Sequence, residues 1–171
     1  KKYPRIDPRF IFVNYGFNLR PLEIQAAIAQ QQLSKINVLK KNRNWNREQI
    51  IKFFKLEKRN NDKIHFIENA LNVDCNWFGV PMLISKKLKK NKKNIIKLIE
   101  IKGVETRPII SGNFLNQPAI KLFNLNKKGI RLKNCQDIEE RGFFIGVNSL
   151  KTDIKTLKFV AKTLNEILDK Y

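Results

Sequence analysis

Two cysteines, one histidine and only 15 acidic residues stand among the 171 positions of this chain, and each scarcity excludes something. Cys75 and Cys135 lie far apart without metal-ligand spacing, which excludes zinc-finger chemistry and any cysteine-clustered centre. A structural disulfide is not expected in a reducing compartment. His65 stands in a strand-like run with no acid or cysteine beside it, so it reads as an ordinary surface or edge histidine. No apolar run approaches the ~20 residues that a membrane span needs. The opening Lys1-Lys2-Tyr3-Pro4-Arg5-Ile6-Asp7-Pro8 lacks the apolar core of a signal peptide. A cytoplasmic protein with no membrane partner is the expectation, and no metal site is assigned.

The shortage of acids leaves a formal charge of +20 against 35 basic residues. Such an excess ordinarily points to nucleic acid. Here the lysines run along the whole chain, interleaved with asparagine and isoleucine, as in Lys89-Lys90-Asn91-Lys92-Lys93-Asn94. There is no helix-turn-helix, zinc-finger or RNA-binding aromatic motif. A basic nucleic-acid-binding module is therefore kept only as the reading from another class. A basic surface also suits a ligand carrying a diphosphate. Hydrophobic residues make up 42%, enough at this length for one domain with a core, or one and a half small ones.

The most informative stretch runs from Asn14 to Ile28. Gly16 permits backbone angles other residues avoid. Arg20 precedes a proline and is pushed toward extended backbone. Pro21 can open a helix, and Glu23 suits its positive end. Leu22, Ala26, Ala29 and Leu33 recur at helical spacing. From residue types alone this is a loop entering a buried helix, with alanines that let something pack closely.

The run Gly16-Phe17-Asn18-Leu19-Arg20-Pro21, followed by Ile24-Gln25-Ala26-Ala27-Ile28 and Gln32-Leu33, resembles the DegT/DnrJ/EryC1/StrS family of pyridoxal-phosphate-dependent sugar aminotransferases and dehydratases. It departs at Ala29, where the family usually has glycine. In that family the loop reaches into the active site of the neighbouring subunit. The resemblance implies that Asn18 hydrogen-bonds the cofactor phosphate across a homodimer interface.

Along the chain, a second helix is expected over about 35–58, thin in its apolar face and so partly exposed, as a connector would be. Ile64, Phe66 and Ile67 suggest a short strand. Trp77-Phe78-Gly79-Val80-Pro81-Met82-Leu83-Ile84 reads as a buried strand, and a similar stretch opens the small domain of family members. Asn91 to Lys102 is a helix with Ile95, Ile96, Leu98 and Ile99 inside, capped by Gly103. Val104 to Ile110 reads as a strand, 119–123 as a short helix and 124–134 as a loop. A short helix, Gln136 to Arg141, leads into the strand Gly142 to Val147. The clearest helix carries Ile154, Leu157, Ala161, Leu164, Leu168 and Tyr171 at steps of three and four, and should cover one face of the sheet.

The second informative segment is Thr106 to Pro118. Gly112 and Asn113 favour a turn. Arg107 is either a fork for a phosphate or carboxylate or a structural arginine at a strand end. The text Arg107-Pro108-Ile109 with Gly112-Asn113-Phe114 resembles the subgroup of 3-dehydratases acting on nucleotide-linked 4-keto-6-deoxy sugars, above all GDP-linked ones. Gln117-Pro118 also fits the CDP-sugar relatives, some of which carry an iron–sulfur cluster on clustered cysteines. No such cluster of cysteines is present, which favours the GDP type or a cluster-free relative.

The resemblance implies an α/β fold, the C-terminal part of a pyridoxal-phosphate-dependent transferase of fold type I. Residues 1–60 would be the end of the large domain with the active-site loop and linking helices, and 61–171 the C-terminal small α/β domain. It implies pyridoxal or pyridoxamine 5′-phosphate as cofactor, a nucleotide-linked 4-keto-6-deoxy sugar as substrate and glutamate as amino donor. A sugar 3-dehydratase of surface-polysaccharide synthesis is the first reading and a nucleotide-sugar aminotransferase the second. Asn18 is assigned to the cofactor, and Arg20, Arg107 and Asn113 to the substrate, with Asn113 orienting the sugar or shaping its turn. The catalytic histidine or lysine has no counterpart in these positions; by resemblance it lies upstream, so the chain alone is expected to be inactive.

Overall fold

The computed structural model describes residues 3, 6–14, 16, 22–125 and 130–171. Two helices come first, α1 (Glu23–Leu33) and α2 (Ile36–Leu56). Strands β1 (Ile64–Phe66) and β2 (Gly79–Ile84), helix α3 (Lys92–Ile101) and strand β3 (Thr106–Arg107) follow. Then come α4 (Pro118–Leu122), α5 (Lys133–Arg141), β4 (Gly142–Gly146) and α6 (Ile154–Leu168). The strands form one antiparallel sheet in the order β1-β2-β4-β3.

Strand alternation sorts the side chains onto two faces. Val80, Met82 and Ile84 of β2, Ile64 and Phe66 of β1, and Phe143 and Ile145 of β4 all point inward and are buried. Helices α2, α3 and α6 cover that face with Ile50, Phe54, Ile95, Ile99, Leu157, Ala161, Leu164 and Leu168. Phe54 meets Phe66 edge-on, ring centroids 5.2 Å apart. The other face is more open: Pro81, Leu83 and Phe144 are half-buried, and His65 and Arg107 are exposed. His65 stands opposite Leu83 on the edge strand, where a surface histidine belongs.

Buried amides fasten the loops to this core. Asn46, fully buried on α2, donates to the backbone oxygens of Asn148 and Leu150 at 3.0 and 2.8 Å and accepts from the Thr152 N–H at 2.9 Å. Asp153 caps α6 by accepting from the Thr156 N–H at 2.8 Å. Asn165 of α6 donates to the Phe54 carbonyl at 3.2 Å and accepts from Asn60 at the same distance, tying α6 to the end of α2.

Three expectations change, and that of the second helix holds. Helix α1 is not buried: none of its residues is, and Ile24, Ile28 and Leu33 are each more than half exposed. Its apolar side chains are distributed around the helix, so they give no single stripe for the domain to cover. Helix α2 is partly exposed, as expected: Asn46, Ile50 and Phe54 are buried, while Val38 and Leu56 are more than half exposed. The strand expected at 104–110 shrinks to Thr106–Arg107, since Pro108 lacks a ladder donor and Ile110 adopts a positive φ of 46°. The buried strand expected from Trp77 begins only at Gly79, and Phe78 is 56% exposed.

Candidate functional site

Asn18 and Arg20, the two residues assigned on the first motif, lie outside the described residues. The backbone on either side is described. Gly16 is exposed, and nothing stands within 4 Å of where a Cβ would sit. On the near side, Phe12 is fastened to the second motif. Its N–H donates to Gln117 Oε1 at 3.1 Å, its carbonyl accepts from the Ala119 N–H at 2.9 Å, and its ring lies 5.8 Å from that of Phe114. The two motifs, some hundred positions apart, are thus joined in space just before the first one's loop begins.

The second motif folds as a compact turn. Gly112 takes a φ of +59°, as its place in the turn requires. Asn113 is 6% exposed, and its side-chain oxygen accepts from the Leu115 N–H at 3.1 Å, capping a short 3₁₀ helix over Phe114–Asn116. Its amide nitrogen donates to Gln136 Oε1 at 3.0 Å, and its backbone N–H donates to Glu139 Oε2 at 2.8 Å. Asn116 donates to the same Gln136 and Glu139 at 3.0 Å. The side chain of Asn113 thus holds its own turn against α5. Together with Asn116, Arg131, Gln136 and Asp137 it also lines a cavity of about 500 Å³.

Helix α5 is the support beneath that turn. Arg141, almost fully buried, donates Nε to Asp137 Oδ1 at 2.7 Å and Nη1 to the Ile84 carbonyl at 2.6 Å, pinning α5 to the end of β2. The Arg141 guanidinium holds the Asp137 carboxyl below its ordinary value, and the carboxylate raises Arg141 in return. A larger cleft, about 1010 Å³, lies on the other side of the turn. Asp7, Phe10, Lys92, Ile109, Gln117 and Glu139 are among its walls.

Arg107 lines neither cavity. It stands on the open face of the sheet, paired with Phe144 across the ladder, and its guanidinium meets the Glu105 carboxylate at the surface. Its charge is solvated, and among the described residues no buried partner fixes the fork. Asn113 and Arg107 come from one segment but face different surroundings.

Sequence reading assigned Gln117 no role beyond a family likeness and passed over Glu139, and these two organise the region. Gln117, 1% exposed, precedes a proline and so is held extended at the start of α4. A polar side chain at such a junction was a usable signal. So was the spacing of Gln136, Glu139 and Glu140, three and four apart on one face of α5. Among the described residues no group of three or more His, Cys, Asp or Glu side chains converges on a metal-sized point.

For the cofactor implied by the resemblance, the fit is partial. Gly16 leaves open space where a Cβ would stand, and Asn18, the residue assigned to the phosphate, lies outside the described residues. Nothing among the described residues offers a partner for the ring.

A model of the DegT/DnrJ/EryC1/StrS aminotransferase family matches residues 4–164. A GDP-4-keto-6-deoxy-D-mannose 3-dehydratase of Escherichia coli O55:H7 is 28% identical over 152 residues, covering 88% of this chain and 37% of the relative. A solved structure of a GDP-4-keto-6-deoxymannose-3-dehydratase variant with bound GDP-perosamine is 26% identical, with a TM-score of 0.69 over 91% of this chain and 38% of that one. An aminotransferase from Psychrobacter cryohalolentis superposes with a TM-score of 0.72 at 16% identity, covering 92% of this chain and 41% of its own, a likeness of fold alone. The chain thus spans about two-fifths of the length of the relatives it matches. With the match running over nearly all its length, the chain belongs to the DegT/DnrJ/EryC1/StrS aminotransferase family.

Proposed function

We propose that this chain is the C-terminal portion of a pyridoxal- or pyridoxamine-phosphate-dependent nucleotide-sugar 3-dehydratase, which removes the C3 hydroxyl of a 4-keto-6-deoxy sugar for surface-polysaccharide synthesis. The observation that carries it is the match, over 88% of this chain, to a relative named for that reaction on a GDP-linked sugar. When bound, the cofactor supplies an electron sink for bond breaking beside the keto carbon.

Within that reading, the residues of this chain bind and position. Asn18 holds the cofactor phosphate of the partner subunit in a homodimer, through its amide donors. Arg20 and Arg107 meet the diphosphate with planar guanidinium forks. Arg107 is solvated and exposed, so a ligand can replace its surface pairing with Glu105 at little cost. Asn113 serves through the turn it caps, and Phe12 and Gln117 set where the loop carrying Asn18 departs. The proton-transferring side chain belongs to the part of the relatives that this chain does not cover.

An aminotransferase on the same class of sugar is the second reading, since the matched family model is described as an aminotransferase family. Incubating the full-length gene product with pyridoxal phosphate, glutamate and a GDP-linked 4-keto-6-deoxy sugar separates the two. Mass spectrometry should show a 3-deoxy sugar without nitrogen. An amino sugar as product supports the second reading, and an unchanged sugar overturns both.

A further inference from the structure

Lys92 opens α3, yet it is not a solvated lysine like its neighbours. It is only partly exposed, whereas Lys89, Lys90, Lys93 and Lys97 are exposed. Its Nζ turns inward and donates to the backbone oxygen of Glu139 at 2.7 Å. It lines the 1010 Å³ cleft, whose apolar wall includes Ile96, Ile109 and Ile138.

The charges facing it are mixed. Asp7 comes from the segment at residues 6–11, Glu139 and Glu140 from α5, and Lys89, Lys90 and Lys93 from its own stretch. Glu140 is engaged with Lys89 at 2.5 Å. Glu139 is engaged by Asn113 and Asn116. Burial costs the ammonium more than these acids return, and Lys92 is pushed down to about 8. A neutral amine in this pose gives one N–H to the Glu139 carbonyl and keeps its lone pair for the cleft.

We propose that Lys92 is a covalent modification site, whose amine takes the acyl group of small anionic acyl phosphates entering the cleft. The acyl carbon chain packs against the isoleucine wall, and the phosphate faces Lys90 and Lys93. The lone pair of Nζ attacks the carbonyl carbon and an N–C bond forms. The C–O bond to phosphate breaks, inorganic phosphate leaves with the electron pair, and the nitrogen gives a proton to water. Nothing is oxidised or reduced.

At pH 7.5 such an amine is about one-quarter neutral, and an ordinary lysine about 0.1%, a ratio of roughly two hundred. Lower basicity weakens the nucleophile and returns part of that, which leaves about ten-fold. Lys97, exposed one turn further along α3, is the internal reference.

The test uses the wild-type chain with acetyl phosphate as the probe, at pH 6.5, 7.5 and 8.5, reading initial acetylation at each lysine by peptide mass spectrometry. Lys92 should react about ten times faster than Lys97 at pH 7.5, and its rate should flatten by pH 8.5 while that of Lys97 still climbs. Excess inorganic phosphate should slow Lys92 and spare Lys97. A rate at Lys92 no greater than at Lys97 overturns the proposal. So does a rate that still rises ten-fold per pH unit at 8.5, or an equal effect of phosphate on both residues.

Discussion

The backbone N–H of Phe12 donates to the side-chain oxygen of Gln117 at 3.1 Å, and Gln117 is 1% exposed. A bond between residues so far apart in sequence fixes where the opening segment leaves the domain. Losing the amide removes the partner of a part-buried N–H, which costs about 1 kcal/mol. Gln117→Ala should lower stability by that amount in urea titration. It should also speed proteolysis near residues 12–16, which Gln117→Glu should do less, since its carboxyl oxygen still accepts.

Gly112 and Gly103 separate two origins of backbone cost. Both have positive φ, +59° and +87°. Nothing lies within 4 Å of where a Cβ would stand at Gly103, whereas a Cβ at Gly112 would meet Glu139 Cβ at 2.7 Å. Gly103→Ala should cost about 1–2 kcal/mol, the strain alone. Gly112→Ala should cost more, and should loosen the Glu139 bond to the Asn113 N–H, visible as faster amide exchange at Asn113.

Lys92 predicts a pH dependence with a definite sign. Its folded value of about 8 lies below the ordinary 10.5. Between these limits the unfolded chain binds a proton that the folded chain does not, so stability rises with pH across that window. Below pH 8 both states are protonated and the cost of burying the charge is full. Lys92→Met should show a smaller rise than wild type between pH 8 and 10.5 in urea midpoints. Equal slopes would show that the cleft is wetter than its walls suggest.

Arg107 and Asn18 test the proposed site in the full-length enzyme. The Arg107 side chain is 43% exposed with a surface partner, so Arg107→Ala should change folding by no more than about 0.5 kcal/mol. Loss of a charge-assisted contact to the diphosphate costs roughly 1.5–3 kcal/mol, which raises KM about ten-fold or more. Asn18→Ala should weaken cofactor retention more than it lowers the melting temperature. An unchanged KM with a lowered melting temperature would make Arg107 a structural residue.

What could be read in advance follows the range of the interactions. The periodicity of α6 placed Leu157, Ala161, Leu164 and Leu168 on one face, because a helix against a sheet writes its burial into local spacing. The turn at Gly112-Asn113 and the cap at Gly103 were legible for the same reason. The exposure of α1 was not, because alanine and leucine spacing does not say whether a partner surface exists among these residues. Nor was the burial of Asn46 or Gln117: their bonding partners come from far along the chain. Family resemblance located the two motifs, but it could not show that Asn113 uses its side chain on its own turn and on α5, or that Arg107 lines neither cavity.

The strand order β1-β2-β4-β3 sets a timetable for synthesis. Gly79 pairs with Gly146 and Leu83 with Gly142, so the longest ladder of the sheet joins β2 to a strand made much later. Until β4 leaves the ribosome, β2 is a nascent edge with Val80, Met82 and Ile84 uncovered. Until α6 follows, their lid is incomplete. Such long-range pairing slows folding and leaves an aggregation-prone intermediate. The dense lysines of 86–93, emerging directly after β2, would keep neighbouring nascent chains apart during that interval by like-charge repulsion.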